Sequence, residues 1–215
     1  MKKNNLYIYK DYTLSEGMII DSNYPDLTIK SGEKVLVTGD SGSGKSTLFK
    51  LILGKLSPTS GKVIFEDKNG KEIKLNRDEL GYVAQDNTLF PDTIENNMTM
   101  FNSKLDEKVK RVVKQVEFEN DLKKIPASLK HEINLDEGNL SGGQKQKIVL
   151  ARAILAGSKW LFIDEGTSAI DSKATKKILE NLLNQETTIV MIAHNFNNEL
   201  ENLFDRKISL KNGGD

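Results

Sequence analysis

The stretch GDSGSGKST, Gly39 to Thr47, is the strongest single motif in this chain. It follows the run KVLVT, which is typical of a strand, and leads into TLFKLIL, which has helical spacing. The stretch satisfies the pattern G-x-x-x-x-G-K-[ST] in the strand–loop–helix context that a phosphate-binding P-loop needs. That context argues against the alternative, a glycine-rich turn with an incidental lysine. The sequence therefore predicts a nucleoside-triphosphate site.

The residue types in this loop suit the binding of phosphate groups. Glycines allow successive backbone N–H groups to turn inward around phosphate oxygens, and the dipole of the following helix adds to the attraction. We expect Lys45 to reach the β- and γ-phosphates and the hydroxyl of Ser46 to bind Mg²⁺. The predicted nucleotide-binding residues of the loop are Gly39, Ser41, Gly42, Ser43, Gly44, Lys45, Ser46 and Thr47.

A second stretch, WLFIDEGTSAID, supplies acidic side chains. Its apolar residues 160–163 predict a buried strand, and Asp164 and Glu165 follow at the carboxyl end, where parallel sheets bind their ligands. We expect Asp164 to hold Mg²⁺, directly or through water, and Glu165 to polarise the attacking water. Two adjacent acids are common on surfaces, but their position after an apolar strand in a P-loop protein argues against that interpretation.

A third apolar run, TTIVMIAH, ends at His194 and predicts a strand whose carboxyl end lies at the same edge of the sheet. A single histidine is often a structural residue with satisfied hydrogen bonds. Its position beside the predicted phosphate site favours a contact between His194 and the γ-phosphate.

The composition of the chain limits the classes of protein to which it can belong. The 215 residues suffice for one substantial core with a smaller lobe. Thirty-one Lys and Arg balance 31 Asp and Glu, so no global charge recruits nucleic acid or an anionic membrane. With no cysteine and two histidines, the chain has no disulfides and too few histidines for a histidine-based metal site. The start MKKNNLYIYK lacks the apolar region of a signal peptide, and the longest apolar runs are too short to span a bilayer.

The rest of the chain alternates between strand and helix patterns. NLYIYKDYTL is typical of a strand, and GKVIFEDKNGKEIKL of a hairpin with its turn at residues 68–70. The run SKATKKILENLLNQ between two apolar strands indicates a β-α-β unit, so we expect a parallel sheet with right-handed crossovers. Residues 105–124 predict one helix with lysines on one face and an apolar face formed by Leu105, Val109, Val112, Val113 and Val116.

A second candidate anion site lies in NLSGGQKQKIVLARAI, residues 139–154. Ser141, Gly142 and Gly143 stand at the start of a predicted helix, where backbone N–H groups and the positive end of the dipole attract an anion. Since the P-loop already provides a phosphate site, the residues alone leave the purpose of a second one open.

Taken with the P-loop and the acidic strand end, LSGGQ makes the chain resemble the nucleotide-binding domain of ATP-binding cassette (ABC) transporters along nearly its whole length. LSGGQ is similar to the ABC signature motif and stands about twenty residues before the acids, as in that family. The resemblance implies a head-to-tail dimer in which Ser141 and Gly143 of one copy close on the γ-phosphate held by the other copy's P-loop. The signature residues expected to contact the partner's ATP are Leu140, Ser141, Gly142, Gly143 and Gln144.

The family resemblance also implies roles for further residues, each taken separately. Gln85 in YVAQDNTLF is similar to the Q-loop glutamine, which touches Mg²⁺ and the water. SAID, with Ser168 and Asp171, resembles the D-loop that contacts the opposite monomer. For the aromatic that stacks on adenine, Tyr12 fits best, Tyr9 is an alternative, and a core aromatic is a third interpretation. The expected catalytic residues are then Lys45, Gln85, Glu165 and His194, and the expected metal-binding residues are Ser46, Gln85 and Asp164.

The chain departs from the family pattern at a few positions. A glutamate–glycine element that exporters tend to carry before the signature matches Asp136–Glu137–Gly138 only at a shifted spacing. Lys145 and Lys147 follow Gln144 where arginine is common, and either charge supports a helix. The short start MKKNN and the end LKNGGD, without the tail of many cassettes, are compatible with a domain of a longer protein.

The predicted fold class is α/β, with a P-loop NTPase core, a mostly parallel sheet, an N-terminal antiparallel β subdomain and an inserted α-helical subdomain. We expect residues 1–85 and 150–215 to form the ATP-binding core with the antiparallel part. Residues 86–149 are expected to form the helical insertion that carries the signature.

The resemblance implies an ATP-hydrolysing motor domain that uses ATP and Mg²⁺ at the cytoplasmic face of the cell membrane. Its expected partners are a second cassette, as a homodimer or pseudo-symmetric dimer, and transmembrane domains that are fused or separate, with no nucleic acid. FPDTIENNM, residues 90–98, resembles the exporter segment that meets the membrane domain, which favours export of peptides, lipids or drugs. The alternatives are an importer-type ATPase subunit and a soluble ABC ATPase outside transport.

Overall fold

The computed structural model describes residues 5–8, 24, 26–59, 61–67, 69–74, 79–86, 88–135, 138–194 and 196–211. These residues form nine strands and seven α-helices. The strands are β1 (Asn5–Ile8), β2 (Leu27–Ile29), β3 (Lys34–Gly39), β4 (Val63–Glu66), β5 (Glu72–Ile73), β6 (Leu80–Val83), β7 (Trp160–Asp164), β8 (Thr188–Ile192) and β9 (Arg206–Leu210). The helices are α1 (Lys45–Ile52), α2 (Ile94–Thr99), α3 (Asp106–Gln115), α4 (Glu119–Leu122), α5 (Gly142–Ala156), α6 (Ser172–Leu183) and α7 (Asn198–Glu201).

The central sheet is parallel, with strand order β6-β7-β8-β3-β9. All residues of β7 and β8 are buried, because helices or the second sheet cover both faces, as their continuous apolar runs predict. In the register, Ile192 stands opposite both Val37 and Asp164. The carboxyl ends of β3, β7 and β8 therefore meet at one edge.

A smaller antiparallel sheet has the order β2-β1-β4-β5. The hairpin β4–β5 pairs Phe65 with Ile73, as the sequence predicts. Its turn is stabilised by the carboxylate of Asp67, whose Oδ1 accepts from the backbone N–H of Asn69 at 2.8 Å.

Alternate residues of the central strands enter two separate apolar clusters. In β3, Leu36 packs on one side with the helices α3, α5 and α6, while Val35 and Val37 pack on the other side with α1. On that second side Phe49 of α1 meets Phe162 of β7 edge to face, with ring centroids 5.4 Å apart. The parallel sheet is thus the shared wall of both cores.

The structure corrects one predicted element, the single helix over residues 105–124. The chain forms α3 and α4 instead, separated at Glu117, whose φ of 52° ends the first helix. Val116 and Phe118 on either side are both fully buried, and this turn allows both side chains to enter the core. The free energy gained by burying these two apolar side chains outweighs the preference for a continuous helix that the sequence pattern indicates.

The predicted fold class is confirmed: the chain has a mostly parallel sheet, a small antiparallel sheet and a group of helices between β6 and β7. The predicted boundary between residues 149 and 150 falls inside α5, and the division into segments stays a prediction. None of the helices in the described part of the chain is long and apolar enough to cross a bilayer.

The left-handed turn at Glu117 generates a prediction for stability. Glu117→Ala and Glu117→Gly both remove the contact between this carboxylate and Lys177, but only glycine adopts a positive φ without strain. We expect the glycine variant to be more stable than the alanine variant by about 1 kcal/mol in urea unfolding. Equal stabilities, or a more stable alanine variant, would contradict the assignment of strain to this residue.

Candidate functional site

The loop between β3 and α1 has a backbone that only glycine allows at its first position. Gly39 has a φ of 147°, and a Cβ on this residue would lie 2.3 Å from the carbonyl oxygen of Leu210 in β9. Because β9 is hydrogen-bonded to β3, this oxygen has little room to retreat. Gly39 therefore lets the loop turn while the strand stays in the sheet.

Lys45 is buried at the first position of α1. Its Nζ donates to the carbonyl oxygens of Gly39 at 2.8 Å and Asp40 at 2.7 Å. Because an ammonium group has three N–H donors, the third can still donate to a phosphate oxygen bound over the loop. The hydroxyl of Tyr24 donates to the carbonyl oxygen of Gly44 at 2.7 Å. This hydrogen bond supports the loop, and no sequence pattern indicated it.

Asp164 ends β7 with 3% of its surface exposed, and its Oδ1 has no hydrogen-bond partner among the described residues. A buried carboxylate oxygen without a partner is costly, and a cation beside it would remove that cost. Burial and then the charge of Asp164 raise the pKa of Tyr82, so this phenol stays protonated. The buried, unpartnered oxygen fits the predicted role of Asp164 toward Mg²⁺.

The described residues contain no group of three or more His, Asp and Glu side chains that could hold a metal ion by themselves. Magnesium keeps several water ligands and binds through one or two carboxylates together with phosphate oxygens. The donor set of Asp164 and the partly buried Ser46 suits this kind of shared site.

The carboxylate of Glu165 lies between two polar side chains. Nε2 of Gln85 donates to its Oε2 at 3.1 Å, and Nε2 of His194 lies 3.0 Å from its Oε1. Because a carboxylate only accepts, Nε2 of His194 carries the proton in this contact. The structure thus brings together three residues that the sequence assigned to catalysis, from the ends of β6, β7 and β8.

Glu165 itself has a φ of 55°, an uncommon conformation for a residue other than glycine. Its backbone N–H donates to the carbonyl oxygen of Ile192 at 3.0 Å, which continues the pairing of β7 with β8 past the end of the strand. The side chain is therefore held at the sheet edge in a defined and strained position.

The predicted signature begins α5. Ser141 is the N-cap: its Oγ accepts from the backbone N–H of Gln144 at 3.2 Å, and Oε1 of Gln144 accepts from the N–H of Ser141 at 2.8 Å. This capping box leaves other N–H groups of the first turn available to an anion. A Cβ on Gly143 would lie 2.8 Å from the carbonyl oxygen of Ala169, so this glycine is required by close packing.

Gln146 is a residue of the site that sequence reasoning missed. It is buried in α5, and its Nε2 donates to Oγ of Ser168 at 2.9 Å and to the carbonyl oxygen of Glu165 at 3.3 Å. Its Oε1 accepts from the N–H of Ala169 at 2.8 Å. One amide therefore joins the signature helix to the loop that carries Glu165, and only tertiary contacts reveal it.

The predicted D-loop lies between this contact and α6. Asp171 caps α6 by accepting from the N–H of Ala174 at 2.9 Å. Ser168 is tied to Gln146, so both predicted D-loop residues also have structural contacts.

A second missed group fixes residues 88–98 to α5. Arg152 donates to the carbonyl oxygens of Asn97 at 2.7 Å and Thr88 at 3.0 Å, and burial lowers the pKa of its guanidinium. Asn97 is fully buried. Nearby, Phe90 stacks on Phe101 at 5.3 Å, and 62% of Phe101 is exposed.

The predicted adenine-stacking aromatic, Tyr12 or the alternative Tyr9, lies outside the described residues. The contact with adenine stays a prediction. Asp136 and Glu137, from the glutamate–glycine element at shifted spacing, also lie outside the described part of the chain.

Comparisons with known proteins agree with the motifs. The protein-family model described as ABC transporter matches residues 23–168. The chain is 38% identical over 172 residues to a lactococcin transport/processing ATP-binding protein LcnC-like of Lactococcus lactis subsp. lactis (strain IL1403), covering 78% of this chain and 24% of that protein. It is 32% identical over 191 residues to the transport/processing ATP-binding protein ComA of Streptococcus pneumoniae (strain TIGR4), covering 87% of this chain and 26% of that protein.

The chain thus spans about a quarter of the length of these relatives. A solved structure of a bacterial Atm1-family ABC exporter with ATP bound superposes with a TM-score of 0.81 at 24% identity, over 99% of this chain and 38% of that chain. At this identity the structural likeness establishes the fold. With the family match covering most of the chain, the resemblance inferred from the motifs is confirmed. The chain belongs to the ABC transporter family, as one of its ATPase domains.

Proposed function

We propose that this domain binds ATP with Mg²⁺, hydrolyses it in a head-to-tail dimer, and drives a transporter at the cytoplasmic face of the membrane. The observation that carries the proposal is the carboxylate of Glu165, held between Gln85 and His194 beside the buried Asp164. The P-loop begins where β3 ends, at the same edge of the sheet. A phosphate site and a positioned base at one sheet edge are the parts that phosphoryl transfer to water requires.

The P-loop binds the phosphates by charge and by backbone donors. Successive N–H groups of the loop and the N-terminus of α1 attract the oxygens, and Lys45 supplies a positive charge to the β- and γ-phosphates. Positioning and neutralisation of charge are the main contributions that a protein makes to this reaction, because its transition state is loose.

Ser46, Asp164 and Gln85 are the residues that would hold Mg²⁺. The buried, unpartnered oxygen of Asp164 supports this assignment. When bound, the ion neutralises charge that develops on the phosphate oxygens.

Glu165 is the proposed base that orients and polarises the attacking water. Its two carboxylate oxygens are held by Gln85 and His194, so the side chain has little rotational freedom before water arrives. Because Nε2 of His194 has a single N–H, we assign this donor to Glu165 before ATP binds and to the γ-phosphate in the ATP complex.

The signature of each copy is proposed to complete the site of the other. Ser141 and Gly143 present a hydroxyl and backbone N–H groups at the start of α5, a fifteen-residue helix with a strong N-terminal dipole. Binding of the partner's γ-phosphate there accounts for the presence of two anion sites in one chain.

Export is the transport direction that we propose. The related proteins named above are called transport/processing proteins, and one of them acts on lactococcin by its name. The exposed Phe101 stacked on Phe90 offers an apolar surface beside residues 90–98, where we place the contact with transmembrane domains, fused or separate. The importer-type subunit and the soluble ABC ATPase remain the competing functions.

Replacement of Glu165 tests its proposed role as the base in ATP hydrolysis. Glu165→Gln keeps the shape of the side chain but removes its ability to take a proton, so we expect ATP binding to persist and hydrolysis to slow by at least ~100-fold. Phosphate release and nucleotide binding measured on the same preparation give both quantities. Glu186→Gln, at an exposed glutamate, is the matched control. Near-normal turnover of Glu165→Gln would exclude Glu165 as the base.

Complementation tests the action of the signature on the partner's ATP. Ser141→Arg should abolish hydrolysis while each monomer still binds ATP, because the added side chain blocks only the surface offered to the partner. Lys45→Ala should abolish hydrolysis through its own P-loop. In a mixture of the two inactive variants, dimers with one intact site form, and part of the activity should return. A mixture that stays inactive, or a Ser141→Arg monomer that no longer binds ATP, argues against action in trans.

Fractionation of cells that make the native protein tests the link to transport. An antibody against this domain should detect it in the membrane fraction, since the proposed partners are membrane domains. A band near the 24.1 kDa of this chain in the membrane fraction would favour a separate subunit and the importer-type alternative. Detection in the cytosol alone would contradict the transport function.

A further inference from the structure

An ion pair joins the first turns of α5 to α4. Nζ of Lys147 donates to Oδ2 of Asp121 at 2.7 Å, and 10% of the Lys147 side chain and 25% of the Asp121 side chain are exposed. The other oxygen of Asp121, Oδ1, accepts from Nε2 of Gln144 at 3.3 Å. One carboxylate therefore contacts two residues of α5, and one of them belongs to the signature.

Gln144 connects Asp121 to Ser141. A carboxylate only accepts, so Asp121 holds the amide nitrogen of Gln144 toward α4 and leaves Oε1 for the backbone N–H of Ser141. The hydroxyl oxygen of Ser141 in turn accepts from the backbone of Gln144. The hydroxyl proton of Ser141 then remains available for donation to another acceptor.

We propose that Asp121 is a positioning residue for hydrolysis: by fixing the orientation of the Gln144 amide, it sets Ser141 in the geometry that receives the γ-phosphate of the partner's ATP. This inference rests on the proposed function and adds to it a residue that belongs to none of the sequence motifs. Asp121 contacts the signature of its own chain and acts through Gln144, so it is distinct from the residues that touch nucleotide.

The break between α3 and α4 is what brings Asp121 against α5. In one continuous helix, the step of about 100° per residue would turn position 121 well away from the buried valine face of α3. The positive φ at Glu117 changes the direction of the chain instead. Lys147 also donates to the carbonyl oxygen of Glu117 at 2.9 Å, so the same ammonium holds both the turn and the carboxylate.

Helix α6, which follows the D-loop, fixes the same turn from the other side. Nζ of Lys177 contacts Oε2 of Glu117 at 3.2 Å, and Nδ2 of Asn181 donates to the carbonyl oxygen of Gln115 at 3.0 Å. The turn is therefore held by α5 and α6, whose N-termini carry the signature and Asp171. A rigid support of this kind is required if Asp121 is to define the position of a side chain.

The competing explanation is that the pair of Asp121 and Lys147 serves stability alone. The two explanations differ in their consequences. A purely structural pair lowers the stability when it is broken but leaves the turnover of the folded protein unchanged. A positioning residue changes the turnover number, while the affinity of the chain's own P-loop for ATP stays the same.

The experiment compares Asp121→Asn with the matched control Glu119→Gln, which removes the same charge from an exposed position of α4. The amide introduced by Asp121→Asn is a weaker acceptor than the carboxylate, and its NH₂ group competes for Oε1 of Gln144. We expect the kcat of this variant to fall at least about tenfold relative to the control, with ATP affinity unchanged within about twofold.

A second measurement reports on positioning without the chemical step. In a Glu165→Gln background, ATP should drive dimer formation, and adding Asp121→Asn should raise the protein concentration needed for half-dimerisation by about tenfold. Thermal unfolding of each variant shows whether the fold is intact. Lys147→Gln removes the ion pair but leaves the carboxylate of Asp121 to accept from the Gln144 amide. We expect it to lower the stability and to keep a kcat above that of Asp121→Asn.

Two results would overturn the inference. One is a kcat of Asp121→Asn within about twofold of the Glu119→Gln control. The other is a kcat of Lys147→Gln that falls as far as that of Asp121→Asn, since that outcome attributes the loss to the broken ion pair and not to the contact between Asp121 and Gln144. Failure of the proposed function is a separate result, read from the unsubstituted chain: if that chain neither binds nor hydrolyses ATP, both proposals fall together.

Discussion

The parallel pairing of β3, β7 and β8 is the constraint on which the site depends. Parallel strands in register end at the same edge, and here Ile192 stands opposite both Val37 and Asp164. The P-loop, Asp164 and His194 lie at these strand ends, so the hydrogen bonds of the sheet set their spacing. The polar residues themselves contribute little to that arrangement, because the buried apolar strands hold the edge in place.

Helix α5 is the second organising element, since its side chains connect parts of the chain that lie far apart in sequence. Gln146 reaches the loop after β7, Lys147 reaches α4, and Arg152 reaches α2 and the segment before it. Each contact uses a long polar side chain whose hydrogen bonds are satisfied within the fold, as burial requires. A displacement of α5 would therefore shift the loop that carries Glu165, the predicted signature and the proposed membrane-facing segment together.

The site residues that could be predicted from the sequence are those of local motifs. The P-loop needs its glycines, Lys45 and Ser46 within one strand–loop–helix unit, so spacing alone reveals it. Asp164 and Glu165 follow an apolar run, and this places them at a strand end without knowledge of the neighbouring strands. The break at Glu117 escaped prediction because the valines before it keep helical spacing, while the burial of Phe118 depends on helices elsewhere in the chain.

The class of fold, the phosphate-binding loop, the acidic strand end and the signature could be predicted from the sequence, because each depends on residues that are close together in the chain. The contacts between side chains came from the folded structure: Gln85 and His194 lie on either side of Glu165, Gln146 contacts the loop beyond β7, and Asp121 contacts Gln144. Hydrogen bonds between residues distant in sequence depend on strand order, register and helix packing, and these are set by the burial of the whole apolar core rather than by any one segment.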